Sequence, residues 1–227
     1  MPSKVMKILE PIVDKTIAKL ADPNFRKDPI GGRFAFVTSV ISSAYKRHGL
    51  ILEAALRERL KEGQHLILFN EDKFFISNQA KTLAASTGKR LHDMRLVHLP
   101  YKKENMRDYL QVDLIVFNKK TKVVSSYEVK RGNGHFDAGK KRSIRQDMLT
   151  TNFLLKDWLK KEKKITASRA HSYIICYYGL RALPKPFSLI KEDLDKHFGF
   201  SVINEIEKVN NYFKTWLHKM INSKIWW

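Results

Sequence analysis

Two apolar stretches joined by a short polar segment constrain the fold of this chain more than any other feature of its sequence. The stretches are Leu110 to Phe117 and Val123 to Lys130, and the polar segment between them is Asn118 to Lys122. Apolar runs of this length on either side of a short polar segment are typical of a β-hairpin. The sequence therefore predicts two adjacent antiparallel strands in the middle of the chain.

The register of this hairpin decides which charged side chains meet. If Asn118 lies opposite Val123, Asp113 lies opposite Glu128, and the Cβ atoms of such a pair are roughly 5 Å apart. Side chains alternate along a strand, so Glu128 and Lys130 extend from the same face. Two carboxylates this close repel each other unless a cation lies between them, which favours a hard cation such as Mg²⁺. A lysine beside that cation can orient an attacking water, as in phosphodiester hydrolysis.

The Glu-x-Lys triplet occurs three times in the chain, and its surroundings separate the three copies. Glu71-Asp72-Lys73 follows the apolar run Leu66 to Phe69, and together with Asn70 it is typical of a turn. Glu162-Lys163-Lys164 lies in the charged end of a helical pattern, which predicts a solvated helix end. Glu128 alone follows an acid at hairpin spacing. The alternative for Glu128 is a surface ion pair on an edge hairpin.

Secondary-structure patterns on both sides of the hairpin extend this prediction. Residues 48–60 have apolar side chains at helical spacing, and Glu53 is expected on the half-buried face of that helix. A chain reversal is predicted at Arg131 to Gly134. A helical pattern then runs from about Asp137 to Lys163, and a buried strand is predicted at Ser172 to Tyr178. The resulting order is helix, strand, strand, strand, helix, strand.

This order of elements and these charged residues resemble the PD-(D/E)XK nuclease superfamily, the fold of many restriction endonucleases and recombination nucleases. The resemblance covers about residues 34 to 180. It implies an α/β fold in which a restriction-endonuclease-like core has a central mixed β-sheet flanked by helices, with helical additions at the N- and C-termini. Matched to the family motif, the implied catalytic residues are Asp113, Glu128, Lys130, Glu53 and Gln146.

The resemblance also implies a metal ion and a mechanism. Mg²⁺, with Mn²⁺ as a substitute, is expected on Asp113, Glu128, the backbone carbonyl of Val129 and the accessory acid Glu53. Lys130 is then expected to place the nucleophilic water for in-line attack on phosphorus, with a 3′-hydroxyl as the leaving group.

Two further positions bear on the resemblance. Gly49 precedes Glu53 by four residues, as a glycine often does in the family, whereas Val112 stands where the family label has proline. That proline varies among members and carries no chemistry, so an active enzyme is expected. The resemblance implies a Mg²⁺-dependent endonuclease of double-stranded DNA, foremost a type II restriction endonuclease acting as a homodimer at a short specific sequence. The alternatives are a recombination, repair or phage nuclease of branched or damaged DNA, and a non-catalytic DNA-binding module on the same fold.

The charge of the chain agrees with a polyanionic partner. Forty-three Lys and Arg residues against 23 Asp and Glu give a net charge of +20 over 227 residues. A charge of this size creates an attractive field for DNA. The residues expected to contact DNA follow the hairpin and begin the next helix: Arg131, Asn133, His135, Lys140, Lys141, Arg142 and Arg145. The alternatives are that the helix residues solubilise an exposed face and that His135 is a solvent-exposed loop residue.

The expected organisation is one domain in three segments: an N-terminal helix and loop (1–33), the nuclease core (34–183) and a C-terminal helical extension (184–227). The N-terminal helix is predicted over residues 3–21. Trp216, Trp226 and Trp227 have three possible roles: to stack on bases, seal the core or join two subunits. The sequence leaves these alternatives open.

Several classes of protein do not fit the sequence. No apolar run approaches the ~20 residues needed to cross a bilayer, and no Gly-x-x-x-x-Gly-Lys loop predicts ATP binding. The eight histidines lack zinc-ligand spacing, and the single Cys176 excludes an intramolecular disulfide. A cytoplasmic protein that binds neither membrane nor ATP is therefore expected.

Overall fold

The computed structural model describes residues 3–21, 32–86, 96–132 and 136–224. The helices are α1 (Lys4–Ala21), α2 (Ala35–Lys61), α3 (Asn78–Ser86), α4 (Ala138–Lys163), α5 (Leu194–Phe198) and α6 (Ile203–Lys224). The strands are β1 (Leu66–Ile76), β2 (Asp108–Asn118), β3 (Val123–Lys130), β4 (Arg169–Cys176) and β5 (Ser188–Ile190). The N-terminal helix, the hairpin and the long helix after it are all confirmed.

Within the described residues the strands form one five-stranded sheet in the order β1-β2-β3-β4-β5. The β1–β2 and β2–β3 pairs are antiparallel, whereas the β3–β4 and β4–β5 pairs are parallel. Parallel neighbours need a long crossover connection, and α4 provides it between β3 and β4. The expected α/β class with a mixed sheet flanked by helices is confirmed.

The turn of the central hairpin explains its register. Asn118 pairs with Val123, as expected. The Asn118 Oδ1 atom accepts hydrogen bonds from the backbone N–H groups of Lys120 at 2.9 Å and Thr121 at 3.1 Å. Lys122 has a φ of 56°, the left-handed conformation that reverses the chain. The polar turn thus fixes which residues of β2 and β3 lie opposite one another.

The turn predicted at residues 70–73 is wrong, because β1 continues through this stretch to Ile76. Phe74 and Ile76 are buried and hold the second half of the strand against the core. The polar residues are accommodated by shifts in the β1–β2 register, one between Phe69 and Glu71 and another between Glu71 and Phe74. Such irregularities allow a strand to pass a polar stretch without ending.

Helix α4 packs on β3 and β4, and the core between helix and sheet is apolar. Trp158 on α4 is fully buried, and its ring centre lies 5.8 Å from that of Phe69 and 5.7 Å from that of Phe74. Burial of aromatic side chains of this size contributes strongly to stability. This packing holds α4 in a fixed position over the strands that carry Asp113 and Glu128.

The chain divides into two compact units: residues 1–59 together with 195–227, and residues 60–194. In the first unit α1 packs against α6, and the His48 Nε2 atom lies 3.1 Å from Asn210 Oδ1. The Trp216 side chain is exposed, and Lys219 Nζ lies over its ring. Trp226 and Trp227 lie outside the described residues. The second unit contains the whole sheet, including β5, a strand that the sequence did not predict. The expected division at residues 34 and 184 stays a prediction.

Among the described residues, no helix combines the length and the hydropathy that a membrane span requires.

Candidate functional site

Asp113 and Glu128 lie where the regular β2–β3 pairing ends. The last pair of the ladder is Leu114 with Tyr127, one step before these two acids. The Asp113 Oδ2 atom accepts a hydrogen bond of 2.7 Å from the backbone N–H of Val129. This bond keeps the Asp113 carboxylate against the β3 backbone at Val129, the residue between Glu128 and Lys130.

Lys130 completes the group. Its Nζ atom lies 2.9 Å from Glu128 Oε1, which requires both side chains to extend from the same face of β3, as the alternation predicts. The Lys130 side chain is 35% exposed and the Glu128 side chain 27% exposed. A solvent-borne phosphate can therefore reach the ion pair, whereas a fully buried pair would be closed to substrate. The structure thus brings Asp113, Glu128 and Lys130 together at one end of the hairpin.

A fourth charged residue, Asp147, was not expected in the site. It lines a cavity of about 70 Å³ together with Glu128, Ser126 and Thr151. Burial raises the pKa of the Asp147 carboxyl, and the negative charge of Glu128 raises it further. Ser143 Oγ donates a hydrogen bond of 3.4 Å to Asp147 Oδ2, which partly offsets these effects.

Helical periodicity would have placed Asp147 in the site. Ile144, Met148 and Thr151 are buried on α4, and Asp147 falls on the same stripe, three residues after the first and four before the last. No role in the site was predicted for Asp147 from the sequence. Its neighbour Gln146 is half-buried, and its expected catalytic role stays a prediction.

We expect Asp147→Asn to stabilise the chain at neutral pH in EDTA. A raised carboxyl pKa means that the folded chain holds the proton more tightly, so stability falls as pH rises through the unfolded and folded pKa values. Asparagine carries no charge and avoids this loss. At pH 7 the Asp147→Asn variant should therefore have a higher melting temperature than wild type. The two melting temperatures should converge near about pH 3, below both pKa values. A difference that is the same at both pH values would contradict this account.

Glu53, the expected accessory acid, lies on α2 in the first unit. Its Oε1 atom accepts a hydrogen bond of 2.9 Å from Arg57 Nη2, one helical turn later. A helix-surface ion pair of this spacing is a sufficient structural reason for the residue. The metal-binding role expected for Glu53 stays a prediction.

The donor atoms of the site suit a hard cation. Within the described ranges, no group of three or more His, Cys, Asp and Glu side chains is placed to hold a metal ion. Mg²⁺ needs only one or two protein carboxylates, because waters and phosphate oxygens complete its octahedron. Asp113 and Glu128 supply such a pair, and Asp147 adds negative charge nearby. The residues present therefore fit Mg²⁺, and the expected contribution of the Val129 carbonyl stays a prediction.

The basic residues expected to contact DNA begin α4. The helix is capped by Asp137, whose Oδ1 atom accepts a hydrogen bond of 2.7 Å from the backbone N–H of Lys140. Lys140, Lys141 and Arg142 are exposed, and Arg145 is half-buried. Exposed cations on the first turns of α4 are accessible to a polyanion. Two further expected contacts, Asn133 and His135, lie outside the described residues.

The chain just beyond β3 and β4 has a feature that the sequence interpretation missed. The backbone N–H groups of Tyr177 and Tyr178 donate hydrogen bonds to the carbonyl oxygens of Lys130, at 3.0 Å, and of Arg131, at 2.9 Å. The parallel pairing of the two strands thus continues beyond Lys130. It places Tyr178 beside Arg131, whose guanidinium carbon lies 5.5 Å from the centre of the Tyr178 ring.

No family model matches the chain, and neither the curated proteins nor the solved structures contain a match.

Proposed function

We propose that the chain is a metal-dependent DNA endonuclease that hydrolyses phosphodiester bonds. The observation that carries the proposal is the part-exposed Glu128–Lys130 ion pair at the end of β3, together with the Asp113 carboxylate that binds the backbone N–H of Val129, the residue between them. Two carboxylates and one ammonium group are the side chains that metal-assisted phosphodiester hydrolysis requires. The exposed cations at the start of α4 support a polyanionic substrate.

Each residue has a distinct part in the proposed reaction. Asp113 and Glu128 would hold Mg²⁺, or Mn²⁺ in its place, and the ion when bound neutralises charge on the scissile phosphate. The Val129 N–H bond orients the Asp113 carboxylate, so that its position does not depend on the ion. Lys130, held 2.9 Å from Glu128, donates hydrogen bonds that orient the attacking water.

The same proposal includes a restriction-endonuclease-like core. Three antiparallel strands followed by a crossover helix and a parallel strand support it, because this is the expected order except for α3, which lies between β1 and β2. If the chain is a restriction endonuclease, we expect it to cut both strands of a duplex as a homodimer and to be cytoplasmic. An analytical ultracentrifugation run with and without duplex DNA tests the dimer.

A nuclease of branched or damaged DNA is the second candidate, with the same catalytic residues. The exposed Tyr178 ring favours it, because Tyr178 lies only two residues after Cys176, the residue that pairs with Lys130, and an intact duplex offers its bases no free face for stacking. A non-catalytic DNA-binding module is less favoured, since Asp113, Glu128 and Lys130 are all present and in contact with the same strand.

The first test is incubation of the purified protein with long duplex DNA and with a branched junction, followed by mapping of the product ends. We expect cleavage in Mg²⁺, none in EDTA, and binding without turnover in Ca²⁺, because the larger ion has looser coordination geometry. Equal rates in Ca²⁺ and Mg²⁺ would contradict the mechanism. Discrete duplex fragments that share an end sequence would support the restriction-type form, and cleavage of the junction alone would support the second candidate.

A further inference from the structure

Beyond the end of β3, two aromatic rings in contact lie between two cations. The Arg131 guanidinium lies against the Tyr178 ring, the Tyr178 and Tyr177 rings meet edge to face with centres 4.9 Å apart, and Lys191 Nζ lies 5.9 Å from the centre of the Tyr177 ring. Tyr177 is buried, whereas Tyr178 is 42% exposed. We call Arg131, Tyr178, Tyr177 and Lys191 the ring–cation row.

The row is fixed to the sheet. The hydrogen bonds from Tyr177 and Tyr178 to Lys130 and Arg131 continue the β3–β4 ladder. The backbones of Gly132 and Gly179 then approach so closely that a Cβ atom on Gly179 would lie 1.2 Å from the Gly132 carbonyl oxygen. The Tyr178 ring is therefore presented from a rigid backbone, and a ligand that stacks on it meets a preorganised surface.

We propose that Tyr178 and Arg131 bind an unpaired nucleotide of the substrate, with its base stacked on the Tyr178 ring and its phosphate near the Arg131 guanidinium. Single-stranded nucleic acids are bound by such combinations of aromatic rings and cations, since every base has a π-face. The inference rests on the proposed nuclease function, because it is Lys130 that would position the cut. The substrate class is then DNA with an unpaired segment next to the scissile bond.

A protein partner is the competing explanation for this surface. Leu180 is 63% exposed beside Tyr178, and an exposed aliphatic and aromatic pair is common at protein interfaces. The charge of the row favours the nucleotide, because Arg131 and Lys191 flank the rings, while the nearby carboxylate of Asp193 already pairs with Arg181 at 2.6 Å. A polyanion with flat bases complements both components of the row.

The test measures binding in EDTA, so that no cleavage occurs. The probes are a short duplex with a single-stranded extension that carries 2-aminopurine, and a blunt duplex of the same sequence. We expect Tyr178→Ala to weaken binding of the extended duplex by about 5- to 150-fold and to remove the quenching of 2-aminopurine that stacking causes. Tyr178→Phe should preserve both. Binding of the blunt duplex should be the same for all three proteins.

Tyr109→Ala is the matched control. Tyr109 is also exposed, at 50%, and also lies near a lysine, with Lys73 Nζ 5.1 Å from its ring centre. The Tyr109→Ala substitution removes an equivalent ring from β2 of the same unit and should leave 2-aminopurine quenching unchanged. Equal affinity of wild type and Tyr178→Ala for the extended duplex would overturn the inference and assign the surface to a protein partner.

The proposed function can fail separately from this inference. If Mg²⁺ produces no cleavage of any DNA but Tyr178→Ala still loses the stacking signal, the nucleotide site stands and the nuclease proposal does not. If wild type cleaves DNA and Tyr178→Ala binds the extension as wild type does, the nuclease proposal stands and the nucleotide site does not.

Discussion

Glu128→Ala and Lys130→Ala should each lower the rate of DNA cleavage by roughly 10²- to 10⁴-fold, the range found when a group that acts on the transferred proton or attacking water is removed. The Glu128→Ala variant would lack a carboxylate ligand for Mg²⁺, and the Lys130→Ala variant would lack the ammonium group that orients the water. Both side chains are part-exposed and project from a strand that is held by its backbone pairing. Binding of DNA in Ca²⁺ should therefore change by less than about threefold, since one rim charge contributes little to affinity.

The chain contains its own control for this experiment. Glu162 begins another Glu-x-Lys triplet, at the exposed end of α4 in the same unit. Glu162→Ala makes the same chemical change as Glu128→Ala but should leave the cleavage rate unchanged. Single-turnover rates with saturating protein compare the variants without interference from product release. Wild-type rates for both Glu128→Ala and Lys130→Ala would refute the assignment of this site.

Gly179→Ala should destabilise the chain by about 2–3 kcal/mol, the upper range for overpacking. The added Cβ atom would overlap the carbonyl oxygen of Gly132 at 1.2 Å, and backbone atoms cannot yield as the end of a flexible side chain can. The melting temperature should fall by roughly 5–10 °C. Because the two backbones must separate, Lys130 and Arg131 should also move, and cleavage should fall even at temperatures where the variant is folded.

Gly49→Ala is the matched substitution for Gly179→Ala. A Cβ atom on Gly49 would meet no described atom within 4 Å, and the residue lies inside α2. Alanine in a helix interior is favoured over glycine by about 1 kcal/mol, so this variant should melt slightly higher than wild type. A lower melting temperature for Gly49→Ala than for Gly179→Ala would contradict both predictions.

The local parts of the fold were predictable because their causes are local. The polar turn with Asn118 fixes the hairpin register, and the alternation of side chains then places Glu128 and Lys130 on one face. β1 was predicted to end at a turn because four consecutive polar residues, Asn70 to Lys73, interrupt its apolar sequence, whereas in the structure Phe74 and Ile76 hold it in the sheet. Burial by distant residues is not visible in a short window of sequence.

The parts of the site that depend on tertiary packing were missed. Asp147 meets Glu128 only because Trp158 and the other buried residues of α4 set the rotation of that helix against β3. Tyr178 meets Arg131 only because β4 pairs in parallel with β3 and the pairing continues beyond both strands. The sequence alone does not indicate that these residues become neighbours.

The parallel pairing of β3 and β4 also has a consequence for the order of folding. The β2–β3 hairpin joins neighbours in sequence, so the contact of Asp113 with Val129 can form on the timescale of an isolated hairpin. The bond between the Ser126 and Ser172 hydroxyls, 2.6 Å long, spans 46 residues and requires α4 to be in place first. Such non-local pairing is slow, because the entropy of closing the loop is lost before the contacts form. We therefore expect the carboxylates that we propose as Mg²⁺ ligands to meet early, and the surface that we propose for the unpaired nucleotide to appear only in the last step of folding.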